Sequence, residues 1–348
     1  MNKPSKVIVF IFILSLIGSV LEIWGGSWDI TTHLLGAPET FFSPPHTVLY
    51  SGVGIGVIAA ILASVVLVKN RELRNSSLSL GMKLIIVGSI IQIFAGPSDY
   101  TWHEMFGTDG LLSPTHLTLI TGILIQSVGI VLGLTRLIPH NFKIVKPATL
   151  VSFSALWFIV IAFIFQFTLP ISKGETINLN PDPYVAGVIL AISMPFFSVL
   201  IFWGASKSMK KFGWASGVTA LLIFFNITAN VIPAEALWDY LPWYVLPMIV
   251  AIIADGILTN KIKIGKFGDM ISGAIVGSVF LVYSMPLVGM AYIQFYVFSG
   301  VSGYYLLPDF SETLIMILGV MSIPGAIMGI LAVKLAKKKI VIPVESTV

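Results

Sequence analysis

The sequence contains no cysteine among its 348 residues. That excludes disulfides, iron–sulfur clusters, thiolate metal sites and a cysteine nucleophile. Charge is also scarce. Asp, Glu, Lys and Arg make up 10% of the chain, against roughly 25% in a soluble domain, too few to cover a water-facing surface. Histidine is rare as well, with five in all, so the positions of those five carry information. Apolar residues are abundant: 56% of the chain is hydrophobic and the mean hydropathy is +0.96. Together these features imply an all-α integral membrane protein.

A membrane-spanning helix needs about 20 mostly apolar residues. Ten such runs are present, near 7–24, 46–68, 79–95, 115–135, 148–170, 185–206, 213–232, 243–259, 270–298 and 313–335. The first resembles a signal peptide, but no small-x-small cleavage site precedes Glu22, so it is expected to be retained. Every Lys and Arg except Lys173 precedes the first run, follows the last, or lies at the second, fourth, sixth or eighth connection. By the positive-inside rule both termini are then cytoplasmic, in a multi-pass protein of the cell membrane. The basic residues report topology in lipid, and no nucleic-acid partner is implied. Most acidic residues fall in the opposite, outer connections.

Two of those outer connections match each other. Residues 26–52 (GSWDITTHLLGAPETFFSPPHTVLYSG) align without a gap on residues 96–122 (GPSDYTWHEMFGTDGLLSPTHLTLITG). Asp29, His33 and His46 coincide with Asp99, His103 and His116, and Glu39 faces Asp109. Four of the five histidines thus occupy one repeated pattern, D-x3-H-x12-H. Residues 1–135 read as a duplicated pair of two-helix hairpins. Residues 136–348 read as a six-helix membrane region of unassigned role.

The pattern has a geometry. Asp29 and His33 are four apart, as are Asp99 and His103, so each pair shares one face of a helical turn. Ser-Pro before a long apolar run is a helix start, with Ser as N-cap and Pro at the first position. That places His46 and His116 in a first turn, where the helix dipole disfavours a protonated imidazole. The neutral form is the metal ligand. Each hairpin is therefore expected to bring two imidazoles and a carboxylate together towards the extracytoplasmic face. Nitrogen and oxygen donors without sulfur suit copper, zinc or non-haem iron.

At these residues the sequence resembles the C subunit of the particulate methane and ammonia monooxygenases. The block DYTWHEMFGTDGLLSPTHLTLI, Asp99 to Ile120, is the part most similar to that family's copper-site hairpin. The resemblance implies that Asp99, His103 and His116 are copper ligands. It covers about residues 20–125. The family's second hairpin has Asn where its first has Asp, whereas here the other copy keeps Asp29. The family's cupredoxin-type subunit is not part of this chain, so the resemblance implies separate monooxygenase subunits as partners.

Two readings of another class stand beside a copper-dependent oxidation complex. One is a non-enzymatic membrane protein that senses, stores or transports metal. The other is a membrane zinc hydrolase with Glu39, Glu104 or Asp109 as general base beside a metal-bound water. No catalytic residue is assigned. Glu22, two turns before Asp29, reads as an interfacial carboxylate or as a supporting group or proton relay behind the metal ligands, as Glu39, Glu104 and Asp109 also would. Asn226 and Asn230 are expected to hydrogen-bond between helices. Asp255 is expected to pair with Lys261 or Lys263.

Overall fold

The computed structural model describes residues 5–34, 40, 42–107, 111–170, 177, 179–209, 211–234, 238, 241–245, 247–259, 261–297 and 310–339. Among the described residues there is no β-strand, and nine helices are long and apolar enough to cross a membrane. The helices are α1 (Lys6–Leu34), α2 (Pro44–Lys69), α3 (Arg71–Arg74), α4 (Ser77–Phe106), α5 (Pro114–Leu137), α6 (Val145–Gln166), α7 (Pro183–Met209), α8 (Trp214–Asn226), α9 (Leu241–Val245), α10 (Pro247–Leu258), α11 (Gly268–Val297) and α12 (Phe310–Lys339).

The eighth expected run is helical on both sides of residue 246, which lies outside the described residues: α9 ends at Val245 and α10 begins at Pro247. Pro247 opens α10, as expected of a residue that lacks an N–H and restricts the residue before it.

Two helices run further than their apolar segments. The first apolar run ends near Trp24, yet α1 continues to Leu34. The third ends near Ala95, yet α4 continues through Pro97 to Phe106. These polar extensions carry Asp29, His33, Asp99 and His103.

Small residues set the hairpins' spacing. A Cβ on Gly18 would lie 2.8 Å from the Gly52 carbonyl oxygen, and one on Gly88 would lie 2.6 Å from that of Gly122. Without a hydrophobic force between helices in lipid, such close backbone approach supplies the packing. The α11–α12 pair uses the same device, with Gly277 against Gly325. α6 fills the centre: Trp157 is fully buried between Phe202 and Phe280 and donates to Ser198 Oγ at 3.0 Å.

At the end of the bundle away from Asp29, Asp269 at the start of α11 pairs with Lys207 of α7 and Lys337 of α12, each at 2.9 Å. Three chain segments expected on one membrane side therefore meet. Asp255 does not take the expected lysine. It is buried and accepts from the Ala215 and Ser216 N–H groups at 3.0 and 2.9 Å and from Ser216 Oγ at 2.7 Å. A carboxylate there satisfies the free N–H groups of the α8 N-terminus and meets its positive dipole end. Asp255→Ala is expected to cost about 2–3 kcal/mol, the range for a lost buried hydrogen-bonded charge. Thermal unfolding in detergent checks it.

After Asn226 the chain makes one π turn, Ile227–Val231. That turn faces α1. Asn230 Oδ1 accepts from Ser27 Oγ at 2.8 Å and Thr31 Oγ1 at 2.9 Å, and Trp24 Nε1 donates to Thr228 Oγ1 at 2.9 Å. The expected interhelical role of Asn230 is thus seen, and its two donors flank Asp29. Asn230→Leu would leave both hydroxyls without this acceptor. A loss of about 1–2 kcal/mol is expected, read as a lower melting temperature.

Candidate metal centre

The second hairpin brings Asp99, His103 and His116 together. His103 Nε2 lies 3.2 Å from His116 Nε2, Asp99 Oδ2 lies 3.7 Å from His103 Nε2, and Asp99 Oδ1 lies 3.4 Å from His116 Nε2. All three residues are partly buried. Local structure explains the arrangement. Asp99 and His103 are one turn apart on α4. Ser113 caps α5 by accepting from the His116 N–H at 3.2 Å, which holds His116 in the first turn as the Ser-Pro signal predicts. Gly107 ends α4 with φ 70°, a left-handed turn that favours glycine. Its carbonyl lies 3.1 Å from His103 Nδ1.

That last contact decides the tautomer. A carbonyl only accepts, so His103 Nδ1 carries the hydrogen, and in the neutral ring Nε2 presents its lone pair to His116 and Asp99. Orienting a metal-binding histidine through its other nitrogen is the usual support of such sites. Asp99 Oδ1 is buried and takes no hydrogen bond. Two imidazoles and a carboxylate facing one another are groups that could hold a cation. One ligand atom from each residue lies within 4.8 Å of the others, near enough for one ion, since a tetrahedral ion at 2.0–2.1 Å from each ligand separates its donors by about 3.3 Å. The second hairpin therefore passes the geometric test for a metal with N and O ligands.

In the first hairpin His46 Nε2 lies 2.9 Å from Asp29 Oδ1, and His46 Nδ1 lies 3.0 Å from the Thr40 carbonyl. His33 lies on α1, but its side chain is outside the described residues, as are Glu39 and Asp109. Tyr50 stacks on His46 at 5.8 Å between centroids, and Trp102 packs on Phe106 at 4.5 Å. Glu104 is exposed on α4.

Glu22 lies elsewhere. It is fully buried, and both its carboxylate oxygens accept from Gln126 Nε2 at 3.2 Å. Ser89 Oγ and Gln92 Nε2 donate to Gln126 Oε1 at 2.9 and 3.3 Å. The interfacial reading of Glu22 does not hold, and the sequence reading passed over Gln92, Gln126 and Ser89. A signal was present. The spacing that relates the two copies also maps Gly18-Ser19-Val20-Leu21-Glu22 onto Gly88-Ser89-Ile90-Ile91-Gln92.

Compared with protein-family models, curated proteins and solved structures, the chain matches none.

Proposed function

We propose that the chain is a membrane copper-binding protein related to the C subunit of the particulate methane and ammonia monooxygenases, acting within a copper-dependent oxidation complex. The donor triangle of Asp99, His103 and His116 carries this reading. Its ligand types match the motif that the resemblance rests on, and its spacing fits a single ion. Asp29, His33 and His46 would form the equivalent site of the first hairpin. The two hairpins are then copies of one unit. The like contacts of Gly18 with Gly52 and of Gly88 with Gly122 support that. With both termini in the cytoplasm, the two sites would open to the extracytoplasmic face, where a cupredoxin-type subunit can dock.

Copper would supply redox chemistry at an N and O ligand set. The chain's own residues would hold it, the Gly107 carbonyl would orient His103, and Trp102 and Phe106 would limit water beside it.

A second reading, a membrane protein that senses, stores or passes metal, is favoured by one observation. Polar side chains at Glu22, Ser89, Gln92 and Gln126 lie inside the bundle next to the hairpins. Metal analysis of detergent-purified protein, with loading by copper and by zinc, tests the proposal. Copper bound in preference to zinc is expected, and a cupredoxin-type protein should co-purify. Zinc in its place would overturn the oxidation reading and favour metal passage or zinc hydrolysis. No metal after loading would overturn both readings.

A further inference from the structure

Two buried or half-buried carboxylates on the membrane helices have evident partners. Asp255 is spent on the α8 N-terminus and Asp269 on two lysines. Glu22 has neither a helix end nor a basic side chain. Its partner is the neutral carboxamide of Gln126. An ionised carboxylate held this way still carries several kcal/mol of desolvation cost.

The elements packed around it bring no compensating charge. On α1 the nearest titratable group is Asp29, two turns away. On α2 it is Tyr50, whose ring stacks on His46. On α4, Lys83 and Asp99 stand towards the two ends, and on α5 His116 and Arg136 do the same. α6 has none between Lys146 and Gln166, and α8 and its π turn have none.

The site is nonetheless built. A Cβ on Gly56 would lie 3.0 Å from Glu22 Oε1 and 3.1 Å from Gln126 Oε1. The glycine therefore admits the two side chains, which a larger residue would push apart. The surrounding groups serve either protonation state. With Glu22 ionised, the Gln126 amide donates to it. With Glu22 protonated, the Gln126 carboxamide turns over and Oε1 accepts the carboxyl O–H. Its N–H2 then faces Ser89 and Gln92, whose hydroxyl and carboxamide accept as readily as they donate. Gln92 Oε1 is buried without a partner, a spare acceptor in the same group. At the corresponding position of the second hairpin, Gln92 replaces the acid, so the arrangement holds one ionisable group.

From this geometry we propose that Glu22 is an intramembrane proton-binding site, neutral at neutral pH, which takes up and releases one proton as the Gln126 carboxamide turns. The proposal does not depend on a metal at either hairpin.

Infrared spectroscopy of the full chain in lipid vesicles tests it, comparing the wild type with Glu22→Gln across neutral and alkaline pH. Near neutral pH the wild type is expected to show the C=O stretch of a protonated carboxyl that Glu22→Gln lacks. At alkaline pH it should give way to carboxylate bands. Glu22→Asp should retain the band at a shifted frequency, which covers the case in which the Gln variant folds poorly. Gln126→Leu should keep the band to higher pH, because the donor to the ionised form is gone. Carboxylate bands alone near neutral pH would overturn the proposal. So would a carbonyl band that emerges only when sodium and potassium are removed, since the ligand would then be an alkali cation.

Discussion

Replacing His103 and His116 together by alanine should remove one bound metal ion per chain and leave the fold intact. Both rings are partly exposed at helix ends, so their loss opens no core cavity. Asp99 alone then faces the site as a single partly buried carboxylate. His116→Ala by itself should weaken binding by more than about 100-fold, because even supporting residues behind metal ligands are worth 10–100-fold. The companion pair, His33→Ala with His46→Ala, should remove the other ion. With the wild type holding about two ions, each double variant should hold about one. Inductively coupled plasma mass spectrometry against protein concentration reads this directly. Both double variants should keep the wild-type helical content by circular dichroism.

A methyl group at Gly88 should be far more damaging than one at an exposed helix glycine. The Cβ would sit 2.6 Å from the Gly122 carbonyl oxygen and 2.8 Å from the Gln126 nitrogen, both backbone atoms of α5. Neither can rotate away, so α4 and α5 must separate. Overpacking of this kind costs about 1–3 kcal/mol. At Gly54, where a Cβ meets nothing within 4 Å, alanine should instead stabilise the helix by up to about 1 kcal/mol. Gly88→Ala and Gly54→Ala are therefore expected to shift the melting temperature in opposite directions. The first should also lower metal affinity, because the separated helices carry Asp99 and His103 on one side and His116 on the other. Equal shifts for the two variants would show that the hairpin spacing is not set by the glycine contact.

The helical membrane architecture was readable because apolar runs of spanning length are a direct consequence of the bilayer's thickness. The boundaries were less so. α1 and α4 extend about ten residues beyond their apolar runs, and hydropathy is blind to a helix that leaves the membrane. At the second hairpin, the Asp-x3-His spacing and the Ser-Pro cap predicted which groups meet, because both follow from helix geometry, whereas Ser43 at the first hairpin makes no side-chain cap hydrogen bond. The anchoring of α1 through Asn230 was only half legible. Two asparagines one turn apart suggest an interhelical bond, but the choice of Ser27 and Thr31 depends on a π turn that leaves no clear mark in the residues. Glu22 was misplaced for a related reason. Its position near the end of an apolar run suggests an interface, but the continuation of α1 puts it inside the bundle, facing Gln126 across the space left by Gly56. Asp255 was misread because its nearest charges in sequence are lysines, whereas its partners in space are uncharged N–H groups of α8.

The most direct test of the central claim is electron paramagnetic resonance of the copper-loaded protein, with the His33→Ala/His46→Ala background isolating the second hairpin. Bound at Asp99, His103 and His116, Cu(II) should show coupling to two imidazole nitrogens and no sulfur. Adding His116→Ala should reduce that coupling to one nitrogen or abolish the signal. A copper spectrum unchanged by loss of His116, or one with no nitrogen coupling, would mean that this triad does not hold the metal.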